Sequence, residues 1–257
     1  MSKPTVVLIP GAWHSPSHYS SLLKLIETAG YPTRSLRLPS VASSTPHEIT
    51  ATTDVDFVRN KLLLPLIEEG RDIVLINHSY GGLVGGSAAK GLSKIEQQNE
   101  GRTGGIVGLI FIAAFLGVEG ADLQTMVGGK LDPRIIIDEV SGQTTASIPI
   151  DMFYSDVPSS EQAIAAAAVQ QHAYSALTTP FPASGWGDSA FDGRRAYIKA
   201  ANDNIIPPFV QTMMVDKSGV KWELQETQTG HSPFLSQPAI LKNIVVELIE
   251  AFEKKLI

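Results

Sequence analysis

Short, nearly uninterrupted apolar runs alternate along this chain with longer stretches in which apolar residues recur every three or four positions. Thr5 to Ile9, Asp72 to Ile76 and Ile106 to Ile112 carry no charge beyond a first residue. Strands buried on both faces of a parallel sheet have that composition. Thr33 to Leu38, Arg195 to Ala200 and Lys221 to Glu226 are more mixed, but they also read as strands. Helical periodicity runs over Ser17 to Ala29, closed by Gly30, and over Thr53 to Glu69, with a kink at Pro65. It returns over Gly81 to Leu92, Pro208 to Asp216 and Pro238 to Lys254. Ser93 to Arg102 reads as a polar surface loop. Strands alternating with helices predict an α/β fold, a mostly parallel sheet with helices on both faces.

One interval breaks the rhythm. Residues 116–191 separate two consecutive core strands by far more chain than a crossover needs. The expectation is a helical cap inserted before the penultimate strand, with the core formed by 1–115 and 192–257. Alanine-rich sequence from Ser160 to Ser175 suits a helix, and Pro180, Pro182 and Gly185 suit turns. Met126, Phe153, Tyr154, Phe181 and Trp186 supply large apolar surface. Such a lid would exclude water and select the substrate.

Composition narrows the function. The chain has 257 residues with 43% apolar, enough for one domain with an insertion. A net charge of −6 without clustered Lys or Arg argues against a nucleic-acid or anionic-membrane surface. Small molecules are the expected partners, for a monomer or homodimer. The absence of cysteine removes a thiol nucleophile and Cys-based zinc sites. His14 and His18 have the spacing of two helix-borne ligands, yet no third ligand accompanies them, so no metal and no cofactor is expected. The N-terminus passes directly into a short strand, and the longest uncharged run, Gly104 to Val118, falls short of the roughly 20 residues a spanning helix requires. A cytoplasmic location is the default expectation.

The chemistry concentrates where Ile73-Val74-Leu75-Ile76 meets Asn77-His78-Ser79-Tyr80-Gly81. A strand, a sharp turn and a glycine-rich helix place a serine at an apex, in the manner of a nucleophile elbow. The usual Gly-x-Ser-x-Gly pattern is altered by Asn77 at its first position. Downstream, Asp203 follows the strand ending at Ala200, and His231 follows the strand ending at Glu226. The order serine, acid, histidine is that of α/β-hydrolases and differs from the other serine-protease folds. Glu119 or Asp122 could supply the carboxylate instead of Asp203. Near the N-terminus, Val6 to Ile9 runs into Pro10-Gly11-Ala12-Trp13-His14, a loop able to aim the Ala12 amide beside that of Tyr80 as an oxyanion hole. Ala12, Ser79, Asp203 and His231 all fall at the carboxyl ends of predicted strands, where such sheets bind ligands.

These segments, with Ile112-Ala113-Ala114-Phe115, Asn202-Asp203-Asn204-Ile205-Ile206-Pro207 and Gly230-His231-Ser232-Pro233-Phe234, resemble the α/β-hydrolase superfamily. The similarity is strongest to the branch of plant methyl-ester esterases and hydroxynitrile lyases with related microbial esterases. The resemblance implies Ser79 as nucleophile, His231 as general base and then acid, Asp203 as its orienting carboxylate, and Ala12 and Tyr80 as oxyanion donors. Gly11, Trp13, His14, Met126, Phe153, Tyr154, Trp186 and Ser232 are the candidate substrate contacts, His14 alternatively shaping the oxyanion loop. Pro10 stands where that family commonly has histidine, and Asn77 where it has glycine.

The resulting expectation is a cofactor-independent serine hydrolase cleaving a carboxylic ester or lactone of a small, largely apolar metabolite through an acyl-enzyme. A C–C or hydroxynitrile-type lyase would use the same triad for proton transfer. That branch's lyases carry threonine where Gly11 stands and lysine where Ser232 stands, which lowers the alternative. A ligand-binding receptor on a hydrolase scaffold and a cofactor-free oxygenase are the remaining readings.

Overall fold

The computed structural model describes residues 3–256. Its main sheet has six parallel strands, β1 (Thr5–Ile9), β2 (Thr33–Ser35), β3 (Asp72–His78), β4 (Gly105–Ile112), β8 (Arg195–Ala200) and β9 (Glu223–Thr227), in the order β2-β1-β3-β4-β8-β9. The three central strands are β1, β3 and β4, the ones whose sequences are almost purely apolar. All of their residues are buried except the half-buried Asp72. The mixed strands β2 and β9 lie at the edges, where water covers part of each.

Each face of the sheet has its own core. On one, helix Pro238–Lys254 packs Leu241, Val245, Leu248, Ile249 and Phe252 beside Leu22 and Ile26 of helix Ser20–Thr28. Their spacing of three and four residues is the stripe the sequence displayed. On the other, helices Ala51–Val58 and Gly81–Ala88 join the inner surface of the cap in one continuous cluster. The chain winds outward from β1 to β2, then returns to lay β3 on the opposite flank of β1. That reversal opens a crevice at the carboxyl ends of β1 and β3.

Several elements differ from the sequence expectation. Pro65 cannot donate to the helical ladder, and the turn before it, Arg59–Leu63, widens into a π-helix joining Ala51–Val58 to Leu64–Glu68. Ser93 to Arg102 is not a loop but contains helix Lys94–Asn99. Ser93 Oγ accepts the Glu96 amide while the Glu96 carboxylate accepts that of Ser93, a capping box that replaces missing helical partners. The alanine-rich helix occupies only Ser159–Ala167. Besides short helices, the cap holds a three-stranded antiparallel sheet of β5 (Ile135–Asp138), β6 (Gln143–Ala146) and β7 (His172–Ala173). Among the described residues no helix is long and apolar enough to cross a membrane.

Candidate active site

Ser79 directly follows β3 with φ of 53°, in the left-handed region that a residue bearing a Cβ occupies only under constraint. The constraint is the close approach of the following helix to β1. A Cβ on Gly81 would lie 2.5 Å from the Ile9 carbonyl oxygen and 2.6 Å from that of Pro10. Asn77, too large for the usual pattern, is accommodated because Gly85 has no side chain: a Cβ there would overlap Asn77 Oδ1. Asn77 is fully buried, with Nδ2 3.5 Å from the Ile110 carbonyl oxygen.

The candidate oxyanion loop, residues 10–14, follows β1. Neither the Ala12 nor the Tyr80 amide has a backbone acceptor among the described residues. Trp13, at φ of 63°, turns the loop under the cap, where its Nε1–H donates to Thr144 Oγ1 at 3.1 Å. His14 Nδ1–H donates to the Ala12 carbonyl at 2.7 Å, and His14 Nε2 accepts from the Tyr154 hydroxyl at 2.8 Å. The loop is thus fastened to the cap through the two residues that follow Ala12.

Asp203 and His231 sit in loops after β8 and β9. His231 Nδ1 lies 2.8 Å from Asp203 Oδ2, and both side chains are buried. A carboxylate can only accept, so Nδ1 carries the proton of this bond and Nε2 faces away from Asp203. Asp203 Oδ1 accepts the amides of Ile205 at 2.7 Å and Ile206 at 2.9 Å. Glu119 and Asp122 are not involved; Asp122 caps Thr125 instead. The Ser79 hydroxyl and His231 Nε2 have no hydrogen-bond partner among the described residues. Catalytic hydrogen bonds are often open before substrate binds.

A hydrogen-bond relay ties these loops together. The Gly11 amide donates to the Tyr19 hydroxyl at 3.0 Å, which donates to His78 Nδ1 at 2.8 Å. His78 Nε2–H then donates to the His231 carbonyl at 2.9 Å, and the two imidazole centroids are 4.7 Å apart. Burial holds the His78 and His14 rings far below the usual imidazole range, His231 further disfavouring charge on His78 and His18 on His14. His231 is therefore bordered by neutral rings, so a positive charge arising on it meets no second cation.

Two supporting residues carried no signal in the sequence. Gln211, fully buried, joins both backbone groups of Ala200 to the Ile206 carbonyl at 2.7 Å and approaches Asp203 Oδ2 at 3.4 Å. Asp54 accepts the Ser40 amide at 3.0 Å, the Ser40 hydroxyl at 2.5 Å and the Tyr80 hydroxyl at 2.9 Å, anchoring the residue that follows Ser79. Burial raises its carboxyl to about 6, against the opposing pull of these hydrogen bonds. Tyr80 also packs edge-on against His172 and Phe181.

Above Ser79 lies a cavity of about 750 Å³, with Ala12, Ser79 and Tyr80 among its lining residues. Of the candidate substrate contacts, Trp13, Met126 and Trp186 line it. His14, Phe153 and Tyr154 instead form a buried layer behind, Phe153 lying 5.9 Å from both Trp13 and His231 by ring centroids. Gly11 and Ser232 are buried in the loops that carry Ala12 and His231 and do not line the cavity. Among the described residues no group of three or more side chains could hold a metal.

The model of the alpha/beta hydrolase family matches residues 6–242. Alpha/beta hydrolase nvfD of Aspergillus novofumigatus is 28% identical over 97% of this chain and 100% of its own length. A pyrethroid hydrolase from Sphingobium faniae superposes with a TM-score of 0.76 at 20% identity, covering 96% of this chain and 98% of that one. The methylesterase MES16 from Arabidopsis superposes at 0.69 with 19% identity, covering 96% and 99%.

Proposed function

Because the chain belongs to the alpha/beta hydrolase family, we propose that it hydrolyses a carboxylic ester or lactone of a largely apolar substrate through an acyl-enzyme on Ser79. The observation that carries this reading is the buried Asp203–His231 pair, 2.8 Å apart, whose imidazole packs against His78, the residue preceding a strained serine that lines an apolar cavity. The pyrethroid hydrolase and methylesterase likenesses agree with ester chemistry.

In this mechanism Ser79 Oγ attacks the ester carbonyl carbon as its proton passes to His231 Nε2. Asp203 stabilises the imidazolium, and the Ala12 and Tyr80 amides receive the oxyanion, each donor worth about 3 to 4 kcal/mol. The carbonyl–oxygen bond to the alcohol then breaks, the alkoxide taking the proton from His231. Water, deprotonated by His231, attacks the acyl-enzyme; the acid departs and Ser79 regains its proton. The left-handed serine adds strain of order 1–3 kcal/mol, offset by the packing of Gly81 against β1.

Lyase chemistry is less well supported. A side chain at position 11 would begin 3.0 Å from Ser79 Cβ and 3.1 Å from His78 Nδ1, so this loop leaves little room for threonine there. The test is a panel of p-nitrophenyl esters, methyl esters and lactones assayed with the wild type and Ser79→Ala. Turnover lost by at least about a thousandfold in the variant is expected. Undiminished turnover in Ser79→Ala, or none in the wild type across the panel, would refute the reading.

A further inference from the structure

The two long walls of the cavity share one arrangement. On helix Pro208–Lys217, Val210, Met213, Met214 and Lys217 line the space. These are positions i, i+3, i+4 and i+7, one face of a helix. On the cap, Leu123, Met126, Val127 and Lys130 line it with the same spacing, beginning on helix Leu123–Met126. Both walls are apolar for three positions and then place a lysine.

Burial gives the walls a direction. Ile206, beside Asp203, is 1% exposed, Met213 is 41% exposed, and Lys217 is exposed to water. On the cap Leu123 is 6% exposed, Val127 40%, and Lys130 exposed. Both sequences therefore run from the buried part of the cavity wall to its water-exposed mouth. At a rise of about 1.5 Å per residue, Lys217 stands about 15 Å along the helix from Pro207.

Charge at the mouth is unbalanced. Among the described residues the one carboxylate lining the cavity, Asp132, is held by Arg134 at 2.7 Å, and that guanidinium also reaches Asp151 at 3.0 Å. Neither Lys130 nor Lys217 makes a salt bridge among the described residues. An apolar channel ending in two unpaired cations matches a molecule with an apolar body and an anionic end.

Building on the hydrolase reading, we infer that the substrate is an amphiphilic ester whose apolar chain or ring system fills the channel and whose carboxylate, or equivalent anion, lies at the mouth between Lys130 and Lys217. The apolar walls supply affinity and the lysines fix which end enters first.

The test compares the mono-p-nitrophenyl ester of decanedioic acid with the same compound methylated at its far carboxyl. At low salt the free acid should have about a fivefold higher kcat/KM, the size expected for exposed ion pairs. That ratio should fall toward one at high salt and in Lys130→Met/Lys217→Met. A ratio is insensitive to general loss of activity in the variant. Equal values in the wild type, or a preference surviving the double substitution, would overturn the inference while leaving the hydrolase reading intact.

A second measurement does not need turnover. In Ser79→Ala, the monomethyl ester of decanedioic acid should bind about fivefold more tightly than the dimethyl ester, read from the fluorescence of Trp13 and Trp186 in the cavity wall. Equal affinities would overturn the anionic-end assignment, whereas absent turnover with this preference retained would count against ester hydrolysis alone.

Discussion

Replacing Gly85 with alanine tests the packing that holds the elbow. In a helix alanine is normally favoured over glycine by about 1 kcal/mol. Here the new Cβ would overlap Oδ1 of Asn77, which is fully buried on β3. Neither partner can retreat: the helix is pressed on β1 at Gly81, and β3 is paired on both sides by β1 and β4. Overpacking of this kind costs about 1–3 kcal/mol, so Gly85→Ala should destabilise the protein by about 2 kcal/mol. In an Asn77→Gly background the overlap is gone, leaving only the end of the Ile9 side chain at 3.1 Å from the new Cβ, and the same substitution should stabilise by up to about 1 kcal/mol. The expected coupling of about 3 kcal/mol is at the upper end for residues in contact. Urea unfolding of the wild type, both single variants and the double variant measures it, with ester turnover reporting the Ser79 geometry. Additivity within about 0.5 kcal/mol would refute the proposed interlock.

Other expectations concern support and protonation. The carboxyl of Asp54 is raised by burial from 3.8 to about 6; its stabilising contribution is complete below the unfolded value and lost as pH rises through about 6. The loss is about 3 kcal/mol. Asp54→Asn should remove that fall, and a difference from wild type that does not change between pH 4 and 7 would contradict it. His172 is lowered by burial to about 3, so its contribution is present above the unfolded value near 6.5 and lost as pH drops. His172→Gln should reduce the acid destabilisation between pH 6 and 4 by about 1.4 kcal/mol per pH unit; an unchanged slope in the unfolding free energy would count against a neutral buried ring. Gln211→Leu releases the Asp203 loop without touching the cavity and should lower kcat about tenfold with KM little changed and a displaced acid limb in the pH–rate profile. An altered KM at constant kcat would place Gln211 outside this role.

Which parts of the molecule the sequence revealed follows from the range of the interactions involved. Helix Pro238–Lys254 was legible to the residue, because its apolar stripe meets a large core and prolines mark its start. The three central strands were legible because burial on both faces leaves them few polar positions, all near their ends. The cap strands were hidden: β6 is Gln-Thr-Thr-Ala, and its pairing with β5 and β7 arises from tertiary contact rather than alternation. Helix Lys94–Asn99 did have a local signal, Ser93 and Glu96 at capping-box spacing, masked by the polar composition around it. At the site, the elbow motif, the positions just after predicted strands and the chain order together suggested Ser79, Asp203 and His231, and the structure brings the latter two into contact. Asn77 looked like a defect in the motif because its remedy, Gly85, acts across the strand–helix interface. Asp54 and Gln211 were invisible for the same reason, their partners lying on other elements. The paired lysines of the two cavity walls acquire meaning only once the walls face each other.

The most direct measurement is the site of acylation. The wild type, mixed with a p-nitrophenyl ester and quenched in acid within the first turnover, should carry acyl-enzyme, because the activated leaving group makes acylation faster than deacylation, and peptide mass spectrometry should locate the acyl group on Ser79. Fluorophosphonate should label the same residue in the wild type, and Ser79→Ala should take up neither. An acyl group found on any other side chain, or ester turnover proceeding in Ser79→Ala at the wild-type rate, would contradict the account.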